Sequence, residues 1–378
     1  MDTPGGNRYR PSDATRRHIQ PGPDSRVSLA RDFLRGLYWT LRRDTPAGRS
    51  RAVLHMLALL PGLPFSAARL ARRLSGDRRP AVAIVALERM GDIVAAEPVA
   101  RLARTRFPAA RICWITTAPH AALPASYPAV DDVLVVRCLT EWMFLQRLNL
   151  FQTVWNLHYT DYECPLCCIR HVNPPGLPTV QTYYDFGCLL DVQCLNAGLP
   201  RLTDGPQMVR SQADVAAVNA LALPRRFFAV HCLSLDPQRS WPANKWRELV
   251  ARLLAADPSL AVVEVGLDPV VARQDGARQR SLCGKLSVLE TAEVIRRADL
   301  FIGIDSGPAH LANAVGTPGV ILLGAYGGFR SYLPYSGGYG SGSNATLVRT
   351  DGPVADLPVE TAFAATMARL QYLSLPAS

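Results

Sequence analysis

From residue 81 onward, short continuous apolar runs recur, each closed by Gly, Asp or Pro and followed by a longer stretch with helical spacing. A strand that is apolar at every position must be covered on both faces, which happens in parallel sheets flanked by helices. In the first half the runs are AVAIVAL (81–87), RICWI (111–115), VLVV (133–136) and TVWNL (153–157). The second half restarts with FFAVHCL (227–233), LAVVEVG (260–266), LFIGID (300–305) and GVILLG (319–324). IVAAEPVARLARTRF (93–107) reads as one helix stopped by Pro108. The pattern predicts an α/β protein of two Rossmann-like, doubly wound domains facing a central cleft. Residues 199–225, rich in Pro, Gly and polar side chains, join the halves. Ligands of such sheets sit beyond the carboxyl ends of the strands. The stretch 324–343 (GAYGGFRSYLPYSGGYGSGS) reads as a mobile loop at the cleft, too polar and glycine-rich to pack as an element.

At 378 residues the chain exceeds one hydrophobic core, and 48% hydrophobic with 19% charged residues excludes a disordered chain. The net charge of +10 raises the question of nucleic acid. Residues 1–80 hold 16 Arg and 6 Asp, which is the whole excess; the other 298 residues carry 25 basic and 25 acidic side chains. The body is neutral, so nucleic acid is not an expected partner. The basic segment is a helical N-terminal extension. Its first 50 residues lack the apolar core of a secretory signal, and a cytoplasmic location is expected. AVLHMLALLPGLPF (52–65) is broken by Pro61, Gly62 and Pro64 and is shorter than the ~20 residues of a bilayer span. SLARDFLRGLYWTLRR (28–43) and FSAARLARRL (65–74) set apolar residues opposite arginines at helical spacing. They read either as helices packed on the body or as interfacial helices on an anionic inner-membrane leaflet, where each basic residue adds ~1 kcal/mol.

Five of the nine cysteines, Cys164, Cys167, Cys168, Cys188 and Cys194, fall within 31 residues. Without a secretion signal they read as buried thiols or as a structural metal site. For the latter, Cys164 and Cys167 have C-x-x-C spacing, and Cys188, Cys194 or His171 complete a tetrahedral Zn or Fe set.

Two motifs carry chemistry. In ALERMGDIVAAEP, Gly91 and Asp92 form a strand-to-helix turn, with Asp92 at or beside the helix N-cap and facing the cleft. It reads either as a cap or as a base whose ionised form the helix terminus favours, at reduced basicity; Glu88 and Arg89 stand ready to orient it. In FIGIDSGPAHLANAVG (301–316) a buried strand runs through a tight turn into a helix. The N–H groups of Ser306, Gly307 and Ala309 there make an anion site suited to phosphate or diphosphate. Pro308 suits the first helical turn, Asp305 caps the helix or shapes the turn, and His310 faces the cleft or the core.

These stretches, with HCLSLDPQRSWPANKWREL between them, resemble glycosyltransferase family 9, the ADP-heptose:lipopolysaccharide heptosyltransferases and their relatives. MGDIVAAEPVARLARTRFP resembles the family's opening motif, and FIGIDSGPAHLANAVGTP its D-(S/T)-G-x-x-H signature, in the right order over about residues 81–372. The resemblance implies the GT-B fold, divided into an extension (1–80), an acceptor domain (81–215) and a donor domain (216–378). It implies an inverting transfer from an ADP-sugar to a lipid-linked glycan, with no cofactor needed for catalysis. Asp92 would be the general base, with Arg89 and Gly91 beside it on the acceptor side. Ser306 and Gly307 would hold the donor diphosphate with Asp305 and His310 at the same turn, and Ser234 and Arg239 would contact phosphate. Asp268 would bind the ribose hydroxyls, and Lys285 is either near the base or structural. Arg239 stands where the family often has Lys, a planar fork in place of a point charge. The extension and the cysteine cluster depart from the family pattern. Cysteine-ligated metal in relatives that heptosylate proteins keeps a protein acceptor as an alternative. A catalytically silent, membrane-associated nucleotide-binding scaffold is the reading from a different class.

Overall fold

The computed structural model describes residues 54, 57–87, 89–159, 162–164, 170–171, 176–234, 236, 239–271, 278–325 and 332–374. Most of the Arg-rich extension, with segment 28–43, lies outside the described residues, as do Glu88, Cys167, Cys168 and the side chain of His171.

The apolar runs become the strands. β1 (Ala81–Val85), β2 (Arg111–Thr116), β3 (Asp132–Val135) and β4 (Thr153–Asn156) form a parallel sheet in the order β3-β2-β1-β4. A small antiparallel pair follows, β5 (Tyr162–Glu163) and β6 (Arg170–His171). The second sheet contains β7 (Phe227–His231), β8 (Ala261–Glu264), β9 (Gln279–Ser281), β10 (Leu300–Ile304), β11 (Gly319–Gly324) and β12 (Ala345–Thr350). Its order is β12-β11-β10-β7-β8-β9, all parallel. All five residues of β1, β7 and β10 are buried, as two-sided coverage demands. In both sheets the strand order reverses beside the first strand of the unit, between β1 and β4 and between β7 and β10. Loops diverge at such a reversal, and the crevice they leave is the usual ligand site.

Three expectations change. The segment 93–107 is two helices, Met90–Ala95 and Glu97–Arg106, because Pro98 has no N–H to continue the ladder and its ring blocks the preceding turn. The joining segment contains a helix, Gln212–Asn219, capped by the Ser211 side chain. The glycine-rich stretch is not wholly a loop: Gly337–Ser341 is helical, and Tyr335 and Tyr339 are fully buried. Their rings meet at 5.5 Å, and the Tyr339 hydroxyl donates to the Thr317 carbonyl at 2.9 Å. Two tyrosines supply the apolar area that the glycines lack, and their hydroxyls find partners. Residues 326–331 of that stretch are outside the described residues.

The end of the extension docks on the first sheet. Helix Leu63–Ser75 buries Leu70, its Ser66 hydroxyl donates to Glu141 at 2.6 Å, and Arg73 Nε donates to Asp132 at 3.0 Å. Leu70 is worth about 1.5–3 kcal/mol, whereas the half-exposed arginine adds at most about 1 kcal/mol. Packing therefore dominates. The same segment leaves Leu54, Leu57, Leu60 and Phe65 exposed, Phe65 to 79%.

Candidate functional site

The site forms where the two reversals face each other. Asp92 follows β1 and lies in the first turn of helix Met90–Ala95, whose N-cap is Arg89, so Asp92 is not the cap. Arg89 has φ 62° and ψ 110° without being glycine. Backbone in such a region costs about 1–3 kcal/mol and persists where neighbours hold it.

Asp92 is partly buried, so water is largely stripped from its carboxylate while a path to the cleft stays open. Desolvation pushes its pKa up to about 6; the Arg89 guanidinium opposes this, the negative Asp305 adds to it, and the Tyr159 hydroxyl and Arg239 oppose it further. The expectation that the helix terminus lowers its basicity is therefore corrected. Burial outweighs the partial charge of one short helix, and the result is a stronger base than an ordinary carboxylate. The Tyr159 hydroxyl lies 3.4 Å from Asp92 Oδ1, and Gln193 Nε2 donates to the Asp92 backbone carbonyl at 2.7 Å. Tyr159 follows β4 and stacks on Tyr183 at 4.9 Å and 12°, and Tyr183 meets Tyr332 edge-on at 5.6 Å. Tyrosines from both halves thus wall the carboxylate.

On the facing side Asp305 follows β10. It is buried and accepts from Arg239 Nη1 at 3.2 Å and from the Tyr335 hydroxyl at 3.2 Å. Arg239 acts on Asp92 as well, so one cation serves carboxylates from both halves. Ser306 is the N-cap of helix Gly307–Ala314, and its hydroxyl turns back to the Ile304 carbonyl at 3.2 Å. The Ala309 N–H bonds to the Ser306 carbonyl at 3.1 Å, which removes it from the expected anion site and leaves the N–H groups of Ser306 and Gly307 at the helix head. Ser234, beyond β7, accepts from the Asp236 N–H at 3.1 Å.

The two motifs also interlock. His310 is buried against Gly91, where a Cβ would meet His310 Cδ2 at 2.8 Å, and it tilts against Tyr335 at 4.7 Å. Gly307 is covered by Met90, whose methyl fills the place of a Cβ. Burial holds the His310 pKa down at about 4, so the ring is neutral at physiological pH. His310 thus faces the contact between the halves and acts as a packing group there.

Residues 170–330 match the family model of glycosyltransferase family 9 (heptosyltransferase). Over these residues the chain is similar to the family 9 heptosyltransferases. A stretch of 45 residues is 51% identical to lipopolysaccharide heptosyltransferase 3 of Escherichia coli, covering 12% of this chain and 13% of that protein. The fold is similar to that of the family 9 glycosyl transferase from Veillonella parvula DSM 2008, with a TM-score of 0.60 at 17% identity over 78% of this chain and 98% of the other. It is also similar to E. coli ADP-heptose LPS heptosyltransferase II, with a TM-score of 0.57 at 17% identity over 78% and 99%. At these identities the likeness is one of fold. The family match holds Ser234, Arg239, Asp268, Lys285, Asp305, Ser306, Gly307 and His310, whereas Asp92 lies outside it.

Asp268 is exposed beyond β8, and Lys285 donates to the Ser281 carbonyl at 3.0 Å beyond β9. Both act on the Cys283 thiol, which places them together near the β8–β9 edge of the second sheet. Cys164, Cys188 and Cys194 are buried, and none is in a disulfide among the described residues. Burial pushes Cys188 up to about 11 and Cys194 up to about 12. Cys188 sits at the N-cap of helix Leu189–Asn196, and among the described residues no group of three His, Cys, Asp or Glu is placed to hold a metal. Cys167, the fourth expected ligand, is outside the described residues. Sequence reasoning passed over Tyr159, Tyr183, Tyr332, Tyr335 and Gln193. Tyr159 was the most accessible of these, because it follows a strand end as Asp92 does. Gln193 sits in a helix of ordinary composition and carries no local signal.

Proposed function

We propose that the chain transfers a heptose from ADP-heptose to a hydroxyl of a lipopolysaccharide or related surface glycan, inverting the anomeric configuration, with Asp92 as general base. The observation that carries the reading is that the turn holding Asp92 packs directly on the turn holding Asp305, through His310 on Gly91 and Met90 on Gly307, with Arg239 paired to Asp305. A transfer of this type needs a base and a diphosphate-neutralising group on opposite sides of one carbon.

In the reaction, the acceptor hydroxyl gives its proton to the Asp92 carboxylate as its oxygen bonds to the anomeric carbon. The bond from that carbon to the diphosphate oxygen breaks, and its electron pair leaves with ADP. One displacement at one carbon inverts it. Arg239 and the N–H groups of Ser306 and Gly307 take up the charge on the leaving diphosphate, supplying the positive potential for which other transferases use a divalent ion. Asp268, beyond β8, is assigned to the ribose hydroxyls. Base catalysis contributes about 10²–10⁴-fold, with positioning and diphosphate stabilisation supplying the rest.

The lipid-linked acceptor and an anionic inner-membrane surface are read together. Exposed Leu54, Leu57, Leu60 and Phe65 lie next to Arg69, Arg72 and Arg73, an apolar and basic combination that suits a leaflet on the cytoplasmic side. No described helix is long and apolar enough to cross a membrane. The test is ADP release from ADP-heptose, with ADP-, UDP- and GDP-hexoses beside it, in the presence of deacylated inner-core oligosaccharide. ADP-heptose alone should support glycan-dependent release. Turnover of only a UDP- or GDP-sugar would overturn the donor assignment, and turnover of none would favour the silent scaffold.

A further inference from the structure

Beside Asp92 lies a pocket lined by Arg89, Leu157, His158, Tyr159, Val180 and Gln193. Gln193 comes from helix Leu189–Asn196 and is 2% exposed. Its Nε2 donates to the Asp92 carbonyl, which can only accept, so the amide has one orientation. That leaves Oε1, a buried acceptor with no donor among the described residues. Buried acceptors of this kind are normally paired, and leaving one unpaired is unfavourable. Gln193 lines the pocket shared with the base, where a bound ligand can supply the missing donor.

We infer that Gln193 is a specificity-determining residue for the acceptor: its Oε1 accepts a hydrogen bond from a sugar hydroxyl adjacent to the one that Asp92 deprotonates. The pocket thus recognises a diol. Leu157, Val180 and the Tyr159 ring offer apolar surface to the C–H face of the sugar ring. Because the same side chain ties the Asp92 backbone, the hydroxyl it reads and the base stay in register. A site built to pair a hydroxyl rejects analogues that lack it far better than an apolar pocket does.

This inference rests on the glycan-acceptor reading above, and its test separates the two. Deacylated inner-core oligosaccharide is titrated by calorimetry into wild type, Gln193→Leu and Gln193→Glu, each saturated with ADP. Gln193→Leu should bind the oligosaccharide roughly 5- to 100-fold more weakly, the effect of one unpaired buried hydroxyl, with ADP affinity unchanged. Gln193→Glu, when protonated, reproduces both the donor and the acceptor of the amide. Relative to wild type at the same pH, its affinity should be near normal at about pH 5 and should fall toward about pH 8 as the acid ionises beside Asp92. If Gln193→Leu loses ADP binding as well, and so has not folded, the pH dependence of Gln193→Glu decides the matter. Equal oligosaccharide affinity in Gln193→Leu, or no pH dependence relative to wild type in Gln193→Glu, overturns the role of Gln193 alone. A wild type that binds ADP but no oligosaccharide overturns the acceptor reading, and this inference with it.

Discussion

Replacing Asp92 by Asn should remove activity and add stability in one step. In the folded protein desolvation moves the Asp92 pKa from 3.8 to about 6. At about 1.4 kcal/mol per tenfold change in proton affinity, the ionised form strains the fold by about 3 kcal/mol, or about 2 allowing for the open side of the cleft. The sign follows from the proton being held more tightly in the folded state than in the unfolded one. The contribution of Asp92 to stability is greatest below 3.8, declines as pH rises through about 6, and is lowest above it. Asn is uncharged and isosteric, so Asp92→Asn should melt several degrees above wild type at pH 8, with the gap narrowing below pH 6 and closing near pH 4. Its transfer rate should fall about 10²–10⁴-fold while calorimetric ADP affinity stays within about twofold, because no donor contact is assigned to Asp92. In wild type, transfer should rise with pH through about 6. An unchanged turnover would remove Asp92 from the chemistry. A variant less stable than wild type at pH 8 would show that burial does not set its pKa.

Three further outcomes follow from the contacts around it. Gly91→Ala should destabilise the protein by about 1–3 kcal/mol in chemical denaturation, since its Cβ would meet the buried His310 ring at 2.8 Å. Arg239→Ala removes an opposing positive charge from Asp92 and the partner of Asp305, so the activity limb near pH 6 should move upward and donor KM should rise, both read from pH–rate profiles. Phe65→Asp should lower co-sedimentation with vesicles of 30% phosphatidylglycerol in phosphatidylcholine while leaving ADP affinity as it was; equal sedimentation would detach the exposed segment from any membrane role.

Much of the fold was legible because fully covered parallel strands leave a mark that local residues carry. Eight continuous apolar runs became β1–β4, β7, β8, β10 and β11. Besides the two-residue strands β5 and β6, the strands that were missed, β9 and β12, are the edges of the second sheet, incompletely buried and without a continuous apolar run. The split of the 93–107 helix was readable from Pro98 and was overlooked. The buried helix at Gly337–Ser341 was not readable, because Tyr335 and Tyr339 earn their burial from partners distant in the chain, Asp305 and Thr317.

The same division runs through the site. Asp92, Arg239, Asp305 and the Ser306–Gly307 turn announce themselves in sequence, because a turn between a strand and a helix is local and its residue types follow from backbone geometry. Their environment does not. The direction of the Asp92 shift was misjudged from the helix terminus, which is a local effect, whereas desolvation depends on everything folding packs around the carboxylate, and the charges of Asp305 and Arg239 come from the opposing half. The packing of His310 on Gly91 and of Met90 on Gly307 is likewise a contact between segments more than 200 residues apart. By itself the sequence determined the two α/β units and the residue types at their strand ends, since both depend on near neighbours. Tertiary structure alone decided which strand ends face each other, how basic Asp92 is and that Gln193 Oε1 is left without a donor among the described residues, because burial and through-space charge depend on what folding brings close.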